Sequence, residues 1–310
     1  MIEVEALKKY FTSGILRKRH IKAVNGVSFH IEKGETLGLV GESGCGKTTL
    51  GKSLLRLIEP TSGKIIFDGV DLLQLKKKEL RRLRPRMQMI FQDPDASLNP
   101  RMRIGDSIVE PLKLQGGLNK GEIKEKVSEL IETVGLNPEH ENRYPYQLSG
   151  GQNQRVVLAR VLAIKPDFII ADEPTSSLDV SVQAQILNLM QDLKRKFALT
   201  LLFISHDLEV VRHMSDRIAV MYLGKIVEIG KTEDIFDCAK HPYTNTLVSP
   251  SAIEDQVILD EDRDMKNASD YPSGCVFYPR CPLATRVCVG KEPKMVEIEE
   301  GHWILCNRVT

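Results

Sequence analysis

Residues 41–49 read GESGCGKTT, a Gly-x-x-x-x-Gly-Lys-Thr run that follows the apolar stretch TLGLV and opens a helical segment. Glycines let successive backbone N–H groups turn inward, and a helix N-terminus adds partial positive charge, so such a run can cradle a phosphate. Lys47 is then placed to reach terminal phosphates and the Thr48 hydroxyl to ligate Mg²⁺, with Gly41, Ser43, Gly44, Cys45, Gly46 and Thr49 completing the loop. A glycine turn that merely starts a helix would not need the Lys-Thr pair. A second run, DFIIADEP at 167–174, ends an apolar strand pattern in two carboxylates. Asp172 suits a metal shell, and Glu173 is placed to polarise a water for in-line attack. A third run, QLSGGQNQRVVLARVL at 147–162, sets Ser149 as an N-cap before Gly150 and Gly151, a second phosphate cradle. One nucleotide does not easily fill both cradles within one chain, so the second reads as serving a neighbouring subunit.

Near the end, Cys275, Cys281, Cys288 and Cys306 follow the spacing C-x₅-C-x₆-C-x₁₇-C. Four thiolates can hold Zn²⁺ tetrahedrally or an iron–sulfur cluster. The close Cys pair usual in structural zinc sites is absent, which favours [4Fe–4S]; Zn²⁺ and unligated or disulfide-linked thiols remain alternatives. Cys45, beside Lys47, is either an activated thiol or simply a small side chain in a tight loop.

The elements that must position these residues alternate: strand patterns IEVEAL, VSFHI, TLGLV, KIIFDG and MQMIF, a long helical middle, then RIAVMYL and KIVEIG. Ile123, Val127, Leu130, Ile131 and Val134 recur at helical spacing, as do Val182, Ile186, Leu189, Leu193 and Phe197. This order predicts an α/β core with an inserted helical segment. DQVILDEDRDMKNASD at 255–270 reads as a polar linker before the Cys-rich tail. With 310 residues, 42% hydrophobic and 27% charged, the chain can bury a large core, and its net charge of +1 offers no global field for nucleic acid or an anionic membrane. KKKELRRLRPR at 76–86 is basic, but Leu80 and Leu83 give it an apolar stripe, and it reads as a solvated helix face. The N-terminus lacks a secretory pattern, and no apolar run approaches the roughly 18 residues that span a bilayer.

LSGGQ followed by IIADEPTSSLD, with FQDP upstream and FISHD downstream, resembles the ATP-binding subunits of ABC transporters over roughly residues 1–240. The resemblance implies a P-loop NTPase core over 1–92 and 165–240 with a helical signature subdomain over 93–164. It implies that Lys47, Thr48 and Thr49 bind ATP phosphates, and that Gln92 contacts Mg²⁺ or water near the surface coupled to membrane subunits. It further assigns Glu173 as general base, Asp179 to a loop communicating across a dimer, and His206 to the γ-phosphate. Ser149, Gly150, Gly151 and Gln152 would complete the ATP site of the opposing subunit in a head-to-tail sandwich. Phe11 would stack on adenine, with Tyr10 as competitor. Asn153, after LSGGQ, departs from the longer or charged side chain often found there, and modest consequences are expected.

KHPYTNTLVSP at 240–250, SGCVFYPRCPLA and the final HWILC resemble the C-terminal extension of the dipeptide/oligopeptide importer subfamily, here residues 241–310. That implies peptide uptake with a second, identical or paralogous ATPase, two membrane permeases and an external substrate-binding protein, at the cytoplasmic face of the membrane. Some members carry a [4Fe–4S] cluster. Nickel import by the same subfamily is an alternative, as is a soluble ABC ATPase acting on nucleic acid or ribosomes. The latter commonly pairs two cassettes or inserts a coiled coil, neither of which this chain shows. A catalytically dead binding module conflicts with intact Lys47, Glu173 and His206.

Overall fold

The computed structural model describes residues 1–13, 19–249 and 274–308; the polar 255–270 stretch lies outside them. In chain order the strands are β1 (Ile2–Ser13), β2 (Arg19–Ile31), β3 (Thr36–Val40), β4 (Ser62–Phe67), β5 (Val70–Asp71), β6 (Met87–Ile90), β7 (Phe168–Asp172), β8 (Thr200–Ile204), β9 (Arg217–Tyr222), β10 (Lys225–Lys231), β11 (Met295–Glu299) and β12 (His302–Leu305). The helices are α1 (Lys47–Leu54), α2 (Lys77–Leu83), α3 (Pro94–Ser97), α4 (Ile104–Gln115), α5 (Lys120–Thr133), α6 (Gly150–Leu162), α7 (Val180–Phe197), α8 (Leu208–Met214), α9 (Thr232–Asp237), α10 (Pro242–Val248) and α11 (Arg286–Gly290). Contacts divide the chain into one compact unit of Met1–Glu32, Thr36–Gln74 and Ile204–Thr310, and another of Lys33–Glu35 and Leu75–Phe203.

In the first unit, β2, β1, β4 and β5 form an antiparallel sheet. Strand β3 pairs in parallel with β9, and the run continues antiparallel through β10, β12 and β11. TLGLV is buried at every position, as a strand covered on both faces must be, so it reads as a continuous apolar run. Helix α8 lies so close to β3 that a Cβ on Gly38 would fall 2.5 Å from Val211 Cγ1.

The second unit places β8, β7 and β6 side by side, β6 and β7 in parallel, with α3–α6 falling between β6 and β7 in sequence. Helix α5 starts at an Asn119–Glu122 capping box and buries Val127, Leu130 and Ile131, as the spacing predicts. Helix α7 buries Ile186 and Leu193 of the expected stripe, together with Leu187 and Met190, while Val182 and Leu189 are half-buried and Phe197 is exposed. The stripe is rotated because Leu187 and Met190 supply the apolar surface that packs. In α2, Leu80 is buried while Arg81 and Arg82 face solvent, so the basic segment is a solvated helix face.

The C-terminal residues are organised by a buried carboxylate. Glu228 of β10 is fully buried and accepts from the N–H groups of Lys240 (2.8 Å) and His241 (3.0 Å), with His302 Nε2 at 2.8 Å. Three partners compensate a carboxylate that would otherwise be too costly to bury. They also tie β10 to the turn before α10 and to β12. His241 Nδ1 in turn accepts from the Tyr243 N–H and caps α10, while its ring also bonds the Leu305 backbone. Burial pushes the His241 pKa down to about 4, with the bond to Leu305 opposing.

That depression sets a pH dependence. Below the unfolded value near 6.5 the unfolded chain takes up a proton that the folded chain refuses, so His241 costs stability as pH falls from about 6.5 toward 4, by at most roughly 3 kcal/mol. His241→Asn, which keeps a capping acceptor but cannot titrate, should flatten the decline in Tm between pH 7 and pH 5 relative to the parent chain. Parallel declines in the two proteins would remove His241 as the cause.

Candidate functional site

The phosphate-loop residues fall in the first unit. Helix α1 begins at Gly46, a left-handed N-cap (φ 112°) without a side-chain cap, so no side chain of the loop caps its first N–H groups. Only glycine fits there: a Cβ would meet Ala23 O at 2.0 Å, and one on Gly41 would meet Met221 O at 2.1 Å. Gly44 has nothing within 4 Å of its added Cβ, and Ser43 and Thr48 are exposed, so the outer wall of the loop is open. Lys47 is buried and donates Nζ to the carbonyls of Gly41 (2.7 Å) and Glu42 (3.0 Å), which holds its ammonium inside the loop. Thr49 follows in the first turn. A helix N-terminus that no side chain caps, an ammonium and a hydroxyl form a donor set that fits a phosphate chain.

Cys45 is buried with Sγ 3.9 Å from Lys47 Nζ. Burial pushes its thiol up, more strongly than the ammonium pulls it down. The small-residue reading holds and the activated-thiol reading does not.

At the N-terminus Tyr10 donates its hydroxyl to Asn25 Oδ1 at 2.6 Å, whereas Phe11 is 37% exposed with Lys9 Nζ 4.8 Å from its ring centroid. Of the two aromatics, Phe11 offers the accessible ring. His206 follows β8 and is exposed, while Asp207 caps α8 by accepting from Val210 N.

The second unit gathers the other carboxylates. Asp172 is buried at the end of β7, a hard oxygen donor of the kind Mg²⁺ takes. Glu173 has φ +49°, a left-handed conformation that a non-glycine residue occupies at a cost of roughly 1–3 kcal/mol and that clusters at functional sites. Its Oε2 accepts from Gln92 Nε2 at 3.1 Å, joining residues 81 positions apart. Asp179 caps α7 by accepting from Val182 N and Ser181 Oγ, and these bonds hold its carboxyl below the usual range.

Ser149 and Gln152 form a reciprocal capping box at α6, so both side chains are committed to their own helix. Gly151 is required by packing, since its Cβ would lie 2.3 Å from Val182 Cγ1. Asn153, expected to matter little, is buried and donates to Asp95 Oδ1 (2.7 Å) and Pro145 O (3.1 Å). Arg160 donates to Ser97 O at 2.7 Å. Helix α6 is therefore strapped to α3, whose Asp95 lies three residues beyond Gln92, by contacts that sequence spacing could not reveal.

In the tail, the Cys275 N–H donates to Cys288 O at 2.8 Å, and Cys281 and Cys306 lie near enough to shift Cys275 electrostatically. Burial pushes the Cys275 and Cys281 thiols up, and hydrogen bonding to Thr285 pulls Cys288 down. Among the described residues, however, no three or more His, Cys, Asp or Glu stand as a group that could hold a metal ion. The four thiols are neighbours without converging on a metal centre in this conformation.

Residues 24–176 match the ABC transporter family, and residues 227–288 match the oligopeptide/dipeptide transporter C-terminal region. The chain is 46% identical to the oligopeptide transport ATP-binding protein AppF of Bacillus subtilis, over 99% of this chain and 97% of that protein. It is 48% identical to a Brucella ovis ATP-binding protein named for peptide import, over 99% of this chain and 98% of that one. The chain belongs to the ABC transporter family. Among solved structures it is similar to the ABC cassette MJ0796, dimeric and bound to ADP and Pi (TM-score 0.68, 29% identity, 75% of this chain and 99% of that chain). It is also similar to cbiO1 of Clostridium perfringens (TM-score 0.68, 26% identity, 83% and 98%). As an ABC ATPase it has the P-loop fold with mixed α/β sheets, and binds ATP.

The raised Cys45 thiol has a measurable consequence. At pH 7.5 Cys45 should alkylate about tenfold or more slowly than exposed Cys238, its rate climbing only as pH rises toward its elevated pKa; peptide mass mapping of a timed iodoacetamide reaction reads both.

Proposed function

We propose that this ABC ATPase energises uptake of dipeptides or oligopeptides through an ABC importer. The observation that carries the catalytic part is Glu173, held in a left-handed conformation at the end of buried β7 with its carboxylate on Gln92. A general base needs a defined position more than reach, and the Gln92 bond supplies it. Gln92 orients the carboxylate and, by exchanging this bond for water, can set the attacking oxygen. Lys47 and the N-terminus of α1 take the phosphate charge, and His206 contacts the terminal phosphate. In the second unit Asp172 and Gln92 are residues that would hold Mg²⁺, and in the first the Thr48 hydroxyl is a donor of the same kind; the ion when bound neutralises charge on the transferring phosphoryl group. Phe11 supplies the stacking face for adenine.

Ser149, Gly150, Gly151 and Gln152 serve the ATP of a second ATP-binding subunit, identical or paralogous, with Asp179 nearby in the interface. Two membrane permeases couple through the region after Gln92, and an extracytoplasmic binding protein delivers the peptide. Attachment to the permeases is peripheral, at the cytoplasmic face; among the described residues no helix is long and apolar enough to cross a membrane. Residues 1–92 with 165–240 act as the nucleotide core, 93–164 as the helical signature subdomain and 241–310 as the extension. Full-length likeness to proteins named for peptide transport favours peptides over nickel or nucleic acid.

Glu173→Gln should retain ATP binding but lose about 10²-fold or more in turnover, and accumulate an ATP-bound dimer on size exclusion. Undiminished turnover would remove the general-base role. For the thiols, the [4Fe–4S] reading, with Zn²⁺ as alternative, rests on spacing and on their shared neighbourhood. An anaerobic preparation with a band near about 400 nm and roughly four iron per chain would support it, and a colourless protein without iron would end it.

A further inference from the structure

Arg280 lies in the Tyr278–Arg280 turn of the C-terminal extension, yet its guanidinium sits on the phosphate loop. Nη1 donates to Glu42 Oε2 at 2.9 Å and Nη2 to Glu42 Oε1 at 2.8 Å, a bidentate pair spanning 238 positions. The same guanidinium stands 5.6 Å from the Tyr222 ring centroid, with the Tyr222 hydroxyl 3.5 Å from Nη1. Glu42 is the second residue of GESGCGKT, and it is gripped at two further points. Its N–H donates to Tyr243 Oη at 3.0 Å, and its carbonyl accepts Lys47 Nζ at 3.0 Å. Tyr243 and Phe277 are both 1% exposed and pack with Tyr222 at centroid distances of 4.7–5.4 Å, which fixes the base of this grip.

We propose that Arg280 is a positioning residue for nucleotide binding: it holds Glu42, orients the first peptide units of the phosphate loop, and neutralises a carboxylate beside a polyanion site. This inference rests on the ATPase reading of that loop and extends it by giving the extension a role in ATP affinity. The physical reason is charge. A polyphosphate entering the loop meets the Glu42 carboxylate, and unless that carboxylate is paired the two repel each other at short range. A bidentate guanidinium removes the repulsion and fixes the side chain, which a solvated lysine would do less well.

The test is equilibrium nucleotide binding by the full chain, using ATP, ADP and AMP at low and high salt. Wild type must bind ATP first; failure there overturns the ATPase reading itself, whereas the following comparisons bear on Arg280 alone. Arg280→Gln should weaken ATP binding about tenfold, ADP less and AMP least, with the loss shrinking as salt rises. The double variant Arg280→Gln, Glu42→Gln should bind ATP more tightly than Arg280→Gln, because the unpaired carboxylate has gone. Arg280→Lys, which keeps the charge and the fold of the turn but loses the fork, should fall between. A general loss of structure would instead weaken all three nucleotides alike, and would not be relieved by the second substitution. Equal ATP affinity in Arg280→Lys, Arg280→Gln and wild type would overturn the proposal, as would a double variant weaker than either single.

Discussion

The glycine loop before α1 is governed by close backbone approach: a Cβ on Gly46 would fall 2.0 Å from Ala23 O and one on Gly41 2.1 Å from Met221 O. Gly46 accommodates this as a left-handed N-cap without a side-chain cap. The cost is an ammonium, Lys47, buried in the same loop. Lys47 recovers part of that cost through the Gly41 and Glu42 carbonyls. The loop is thus stabilised largely by its own backbone, and its precise shape passes to whatever holds Glu42.

The C-terminal residues that hold Glu42 are built from short elements that bury Tyr243, Val276, Phe277 and Ile304. Their coherence comes from a polar network in which every donor aimed at Glu228 lies within one compact unit. Such a network is stabilising only when complete, because losing one partner strands a buried charge. The aromatic group of Tyr222, Tyr243 and Phe277 joins this network to the phosphate loop through Glu42.

A parallel logic applies in the second unit. Glu173 stands in an uncommon backbone conformation and is bonded to Gln92. The residues after Gln92 are strapped in turn to α6 by Asn153–Asp95 and Arg160–Ser97. These two bonds tie α6 to α3, the short helix that follows Gln92 and Asp93. Asn153 bonds both Asp95 and the Pro145 carbonyl from one amide while 3% exposed.

The motifs and the elements that carry them were legible in the residues alone: TLGLV before the glycine loop, FIIAD before Glu173, the Ser149 cap of α6 and the amphipathic stripe of α5. These are local, because strand burial, capping and helical periodicity are set by residues within a few positions. The sequence also raised the four tail cysteines, whose spacing suggested a cluster, but among the described residues they do not stand as a metal-holding group. Tertiary structure alone decided the pairings of Gln92 with Glu173, Asn153 with Asp95, and Arg280 with Glu42, and it rotated the buried face of α7. Each joins residues tens or hundreds of positions apart, and a carboxylate in a motif does not announce which distant cation will meet it. That choice is made by the packing of Tyr222, Tyr243 and Phe277, whose contact exists only once the chain has folded.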